Sequence, residues 1–170
     1  MNDGAMSLQE KLNFFKKEIQ KMQRDITHGH KKPHKLVMLL AVLDLFDRKI
    51  IVENKIYFNE DLAESFSNIF NLIRIKGDWN QPAPPFFHLR TSNFWKHKIK
   101  DGRESQYARL STSGGGSKRI EDNIDYAYLD SSTYELFSNI GTRQSLRELI
   151  ITILNPLSNF EDSAPVKMRA

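Results

Sequence analysis

Hydrophobic positions near the start of the chain recur at helical spacing. Ser7 and Glu10 stand three residues apart, as in a capping box. The apolar residues that follow recur every three or four positions: Leu8, Leu12, Phe15, Ile19, Met22 and Ile26. This pattern predicts an amphipathic helix over residues 8–24. Residues 36–46 are apolar almost all round and follow Pro33, which predicts a buried central helix that begins near this proline.

The pattern then changes to short runs of β-branched and aromatic residues. Residues 49–52 and 55–58 flank Glu53 and Asn54 and predict a hairpin. Asn59 is the expected cap of a third helix, over Glu60–Ile73, whose apolar residues share one face.

Prolines and glycines divide the second half of the chain. The prolines of residues 77–85 argue against a helix or a central strand there. Strands are predicted over residues 86–90, 94–99 and 105–110, followed by a flexible Gly/Ser loop over 111–119 and helices over 132–139 and 142–154.

This order of elements predicts an α+β fold, with helices around a small, mostly antiparallel sheet. We expect a disordered or artificial start at residues 1–6, one domain over 7–155 and a flexible tail over 156–170.

Composition narrows the classes of protein. The chain has no cysteine, which excludes disulfides, cysteine–zinc sites and thiol catalysis and favours the cytoplasm. We find no apolar run near the roughly 20 residues that span a bilayer, and no secretory signal pattern. We therefore expect a cytoplasmic protein that does not enter membranes.

Charge is unevenly distributed, although the net charge is only +4. Residues 88–119 carry eight Lys or Arg against two acids, whereas residues 120–170 carry four against eight. A basic middle beside an acidic end favours one surface that faces a polyanion. Lysines that only solubilise a surface would give the same pattern.

Motifs for catalysis are weak. There is no Walker loop, no dinucleotide-binding glycine motif and no His-Glu-x-x-His, so no cofactor is predicted. His28, His30 and His34 are a possible metal site, but Pro33 and the neighbouring lysines argue against a bound cation. The alternative of a metal-dependent nuclease rests on an acidic pair with a lysine: Asp101, Glu104 and Lys98.

A basic segment precedes the predicted central helix. It holds three lysines and three histidines and no acid: His28, His30, Lys31, Lys32, His34 and Lys35. Unpaired backbone N–H groups at a helix start favour anions, so the segment is a candidate for binding phosphate groups. The alternative is a solvated helix entrance.

A proline–aromatic segment is the second candidate. Strand alternation would place Phe86 and His88 on one face, next to the rings of Pro84 and Pro85 and near the cation of Arg90. The alternative is an edge strand whose phenylalanines pack inward.

Together these segments resemble the DNA sulfur-binding domain of McrA-type, type IV restriction endonucleases. The resemblance is carried by Lys-Pro-His-Lys before Leu-Val-Met-Leu-Leu, by residues 84–89 with Trp95 after them, and by the segments 125–137 and 147–149. The resemblance covers residues 8–155. No single motif is very specific, and the resemblance depends on the order and spacing of the motifs.

The resemblance implies binding of double-stranded DNA in which sulfur replaces one non-bridging phosphate oxygen. Pro84, Pro85, Phe86 and His88 would form or border the sulfur pocket, although the family commonly has a tyrosine where this chain has Pro84. The basic segment, Arg90 and Lys118 would hold the backbone, and Arg109, Ser113 and Arg119 would contact bases or phosphates. Both Arg109 and Arg119 remain candidates for the family's late arginine.

The resemblance also implies that this chain is a binding domain and not an enzyme, within a modification-dependent restriction system. An HNH nuclease domain would lie elsewhere in the full-length protein or in a partner, and a homodimer would form through the full-length protein. A general DNA-binding or protein-interaction module without sulfur selectivity is the remaining alternative.

Overall fold

The computed structural model describes residues 6–27, 33–73, 80–110 and 115–155. The elements of these ranges are α1 (Leu8–Thr27), α2 (His34–Asp47), α3 (Glu60–Ile73), α4 (Ala83–His88), a 3-10 turn (Leu89–Thr91), β1 (Trp95–Ile99), α5 (Glu104–Ala108), α6 (Ser117–Asn123), β2 (Ile124–Leu129), α7 (Ser131–Ser138) and α8 (Ile140–Leu154). The predicted α+β class is confirmed. Within these ranges, no helix combines the length and hydrophobicity that a bilayer crossing needs.

The start of α1 forms the predicted capping box. The backbone N–H of Glu10 donates to Ser7 Oγ at 3.1 Å, and the N–H of Ser7 donates to Glu10 Oε1 at 2.8 Å. These two bonds satisfy donors that a helix start leaves without partners. Leu12, Phe15 and Ile19 are buried on the predicted face, so the helical spacing is confirmed.

Helix α2 is the centre of the core, as its apolar sequence predicts. Pro33 precedes its first residue, and the carbonyl of Pro33 accepts from the N–H of Leu36 at 3.1 Å. The helix packs against α3, α4, α7 and α8, so it has core contacts on several sides. Its buried residues are Leu36, Val37, Met38, Leu39, Leu40, Ala41, Val42, Leu43, Leu45 and Phe46.

The sheet consists of β1 and β2, which pair antiparallel. Trp95 lies opposite Leu129 and His97 opposite Ala127, and these residues face the helices. The Trp95 indole donates to the carbonyl of Phe86 at 3.0 Å, which fixes this face of the sheet to α4. The predicted strand over 94–99 is thus confirmed.

The predicted hairpin over residues 49–58 is wrong. The N–H of Ile50 donates back to the carbonyl of Leu45 instead of pairing with a second strand. Ile56 forms an isolated antiparallel bridge with Ala127 of β2. Beside it, the Asn54 side chain accepts from the N–H of Leu129 at 2.9 Å and donates to its carbonyl at 2.7 Å. The β-rich run therefore pairs with a distant strand rather than with itself.

The predicted strand over 86–90 is also wrong, because Ala83–His88 is a helix and Leu89–Thr91 is a 3-10 turn. The N–H of Phe86 donates to the carbonyl of Pro82 at 3.2 Å, so the helix has its first hydrogen bond at this residue. Prolines 82, 84 and 85 all precede that bond, where a missing N–H costs nothing. The prolines thus start a helix instead of preventing one.

Two further predictions between residues 105 and 119 are corrected. Residues 105–108 lie in α5 rather than in a strand. Residues 117–119 belong to α6 rather than to a flexible loop, and the glycines before them, Gly115 and Gly116, have φ of 76° and 93°. These left-handed values favour glycine and let the chain turn into the helix.

Candidate nucleic-acid interface

The start of α2 and the end of α4 meet at one edge of the protein. The Lys35 ammonium donates to Thr91 Oγ1 at 3.1 Å, and this hydroxyl donates to the carbonyl of His88 at 3.0 Å. The two residues that join these elements are 56 positions apart in sequence. The structure therefore brings the end of the basic segment next to the proline–aromatic segment.

Helix α4 presents two different faces. Pro84 and His88 are half-buried and stand four residues apart, so they share one face of the helix. Pro85 is buried, and Phe86 and Phe87 have no exposed surface. The strand alternation that placed Phe86 beside His88 is therefore wrong, and Pro84 and His88 are the members of the predicted sulfur pocket that reach the surface.

Phe86 lies within an aromatic cluster of the core. Its ring centre is 5.1 Å from that of Phe58 and 5.6 Å from those of Trp95 and His97. A side chain packed in this way cannot lie against a ligand on the surface without leaving the core. Phe86 supports the candidate site from below and does not line it.

His34 is the first residue of α2. The His34 ring packs against α3, with its centre 5.4 Å from that of Phe70 and 6.3 Å from that of Phe66. His34 is half-buried, so part of the residue stays accessible. Four other predicted backbone contacts of this segment lie outside the described residues: His28, His30, Lys31 and Lys32. Ser113, a predicted base or phosphate contact, also lies outside them.

Arg90 is exposed but held in place by aromatic rings. Its guanidinium carbon lies 4.2 Å from the ring centre of Phe87 and 5.6 Å from that of Tyr107. Cation–π contacts of this kind orient the planar guanidinium without neutralising its charge. Arg90 is therefore a predicted contact residue that two aromatic rings orient.

A half-buried histidine, His97, supports this arrangement. Its Nε2 lies 3.1 Å from the carbonyl oxygen of Phe86 and its Nδ1 lies 2.8 Å from the hydroxyl of Tyr107. Because a carbonyl only accepts, we assign the proton to Nε2, and Nδ1 then accepts from the tyrosine hydroxyl. Sequence analysis missed both residues, although the predicted strand 94–99 already placed His97 on the opposite face from Lys96 and Lys98.

Burial determines the protonation state of this pair. Desolvation lowers the pKa of His97 to about 4, against the opposing hydrogen bond to Phe86 and with a smaller contribution from the charge of Arg90. Burial also raises the pKa of Tyr107, while the charge of Arg90 and a hydrogen bond from it act in the other direction. At neutral pH the neutral imidazole and the tyrosine hydroxyl therefore form a fixed link between α4 and the Arg90 side chain.

The remaining predicted cations lie on neighbouring elements. Arg109 follows α5 and is exposed, and Arg119 is exposed on α6, which packs against both α4 and α5. A Cβ atom at Gly115 would lie 2.8 Å from Arg119 Cδ, so this glycine gives the arginine side chain its space. Lys118 is 82% exposed and pairs with Asp122 at 2.9 Å, which offsets part of its charge.

The residues of the alternative nuclease site are not arranged as that alternative requires. Lys98 lies on β1, but Asp101 lies in a turn and Glu104 begins α5, so the acids are not on an adjacent strand. Within the described ranges, no group of three His, Cys, Asp or Glu side chains is placed to hold a metal ion.

Comparison with known proteins adds no assignment. No protein-family model matches the chain, and no curated protein matches it significantly.

Proposed function

We propose that this chain binds double-stranded DNA that carries a phosphorothioate link, and that the edge formed by α2 and α4 is the binding surface. The observation that carries the proposal is the contact of Lys35 with Thr91, which joins the basic and the proline-rich segments. Cleavage of the bound DNA would be the task of another domain or a partner.

Charge supplies the affinity in this proposal. Arg90 is exposed at this edge, and the basic segment ends at Lys35, in the first turn of α2. Arg119 lies on α6, which packs against α4, and Arg109 follows α5, which packs against α6. Cations that neutralise phosphates release counterions from DNA, so the binding should weaken steeply as salt rises.

Apolar contact supplies the selectivity. Sulfur is larger and less strongly hydrated than oxygen, and contact with a proline ring removes apolar surface from water. At about 25 cal/mol per Å², a small contact contributes about 1 kcal/mol. A phosphate oxygen at the same place would lose hydration without gaining a donor. The half-buried ring of Pro84 is the surface that fits this purpose best.

A first prediction concerns this selectivity. In a gel shift with one modified and one plain duplex of the same sequence, the modified duplex should bind about fivefold more tightly. Pro84→Ala should remove most of this ratio, because it removes the ring from the surface of α4. Pro82→Ala is the matched control, since residue 82 precedes α4 and does not share a face with His88. Equal affinity of the wild-type protein for both duplexes would remove the sulfur claim.

A second prediction concerns Arg90. Arg90→Ala should weaken both duplexes to a similar degree and lower the slope of log affinity against log salt by about 0.9, the value of one phosphate contact. Lys17→Ala removes an exposed charge from α1 and should leave the slope unchanged. An unchanged slope in Arg90→Ala would show that this arginine does not contact the phosphate backbone.

A further inference from the structure

The outer face of the sheet carries lysines and tyrosines side by side. Lys96 of β1 lies opposite Tyr128 of β2, and Lys98 lies opposite Tyr126. Side chains alternate along a strand, so all four project away from the face that packs on α4. Both lysines are exposed and both tyrosines are half-buried.

The segment that bridges to β2 extends this face. Ile56 is buried and pairs with Ala127, so its neighbours Lys55 and Tyr57 project to the outer side. The Lys55 ammonium lies 5.3 Å from the ring centre of Tyr126, and Tyr57 is 44% exposed. We call the complete set the tyrosine–lysine face: Lys55, Tyr57, Lys96, Lys98, Tyr126 and Tyr128.

The rings of this face form a continuous row. Tyr57 and Tyr126 have their ring centres 5.7 Å apart, and Tyr126 and Tyr128 have theirs 6.2 Å apart, each pair inclined at 65°. These edge-to-face contacts hold the rings in place before any ligand arrives. A pre-ordered ring loses little conformational freedom when a planar group stacks on it.

Among the described residues, no acid pairs with the lysines of this face. Lys96 donates to the carbonyl of Asn93 at 3.3 Å. Asp125, an exposed acid, lies at the bulge between the paired residues at the far end of the strand. The face is therefore net positive and complements a polyanion.

We propose that the tyrosine–lysine face binds single-stranded nucleic acid, with unpaired bases stacked on the tyrosine rings and phosphates on the lysines. Aromatic rings beside cations serve a single strand because every unpaired base offers a planar surface, whereas the bases of a duplex are already stacked. An acidic protein segment would use the lysines but not the rings. The single strand is thus the occupant that uses both halves of the face.

This surface is separate from the proposed duplex site. The inner side of the same sheet carries Trp95 and His97, which contact α4 through the carbonyl of Phe86. The two surfaces therefore lie on opposite sides of β1. A variant of one face leaves the residues of the other in place, so the two proposals can fail independently.

The test is fluorescence anisotropy with a labelled oligo(dT) of about ten nucleotides, a length within the range that small single-strand-binding domains cover. Tyr57→Ala should weaken binding about tenfold, since it removes an exposed stacking surface, whereas Tyr57→Phe should bind like the wild type. Lys98→Ala should lower the salt slope by about 0.7, and Lys17→Ala, the same change of charge on α1, should not. Unfolding midpoints of all variants serve as the check on folding.

Several results would overturn the inference. The inference is wrong if the wild-type protein does not bind oligo(dT), or if Tyr57→Ala binds it as tightly as the wild type. Loss of plain-duplex binding in Lys98→Ala without any effect of Tyr57→Ala would instead make the face a duplex-backbone surface. Competition by poly-glutamate as effective as that by unlabelled oligo(dT) would indicate an acidic protein partner.

Discussion

Replacing Phe86 by alanine should lower the free energy of unfolding by about 3–5 kcal/mol. The side chain has no exposed surface and packs against Phe58, Trp95 and His97, so its removal leaves a cavity in the core. The carbonyl of residue 86, which accepts from Trp95 and His97, is retained in the variant. The loss therefore reports packing and not the two hydrogen bonds.

Phe14→Ala is the matched control for this variant. Phe14 is 63% exposed on α1, so the same change of side chain should alter the free energy of unfolding by about 0.5 kcal/mol or less. Urea unfolding followed by tryptophan fluorescence measures both variants. If Phe86→Ala lowered the free energy of unfolding as little as Phe14→Ala and also lost sulfur selectivity, Phe86 would have to lie at the surface. That result would contradict the structure.

Acidification should destabilise the protein through His97. Its pKa is about 4 in the folded chain, below the ordinary value of 6.5, so the unfolded chain takes up the proton first as pH falls. The stability that depends on the neutral imidazole is complete above pH 6.5 and is lost between pH 6.5 and about 4. The complete loss corresponds to about 3 kcal/mol, since one pKa unit is worth about 1.4 kcal/mol.

His97→Gln separates this effect from the titration of carboxylates. Glutamine offers one donor and one acceptor to Phe86 and Tyr107 but does not titrate. The difference in free energy of unfolding between wild type and variant should be constant above pH 6.5 and should shift in favour of the variant as pH falls. Urea titrations at about pH 7.5, 5.5 and 4.5 measure this difference above and within the pH range in which His97 should titrate. A difference that does not change with pH would mean that the pKa of His97 is not lowered in the folded chain.

Local pattern predicted the helices well where periodicity and capping agreed. The spacing of apolar residues predicted α1 and the bounds of α3, and the box of Ser7 and Glu10 is present at the start of α1. These features depend on contacts within a few residues. They can therefore be derived from the order of residues alone.

The short segments were not predictable in this way. The run around Phe86 is apolar enough for a strand or a helix. The prolines before it are compatible with the first turn of a helix and also with the start of an edge strand. Residues 54–56 have β character, but their partner is Leu129 and Ala127, which are far away in sequence. Register with a distant strand leaves no periodic signal in either segment.

The sequence by itself determined the buried central helix, the α+β class and the presence of basic and proline–aromatic segments, because composition and periodicity specify them locally. Only the tertiary structure decided that Lys35 meets Thr91, that Phe86 belongs to the core, and that the tyrosines of β2 stand beside the lysines of β1. The physical reason is that each of these contacts joins residues whose relative position depends on how whole helices and strands pack. Which side chains of a segment reach solvent depends on that packing as well.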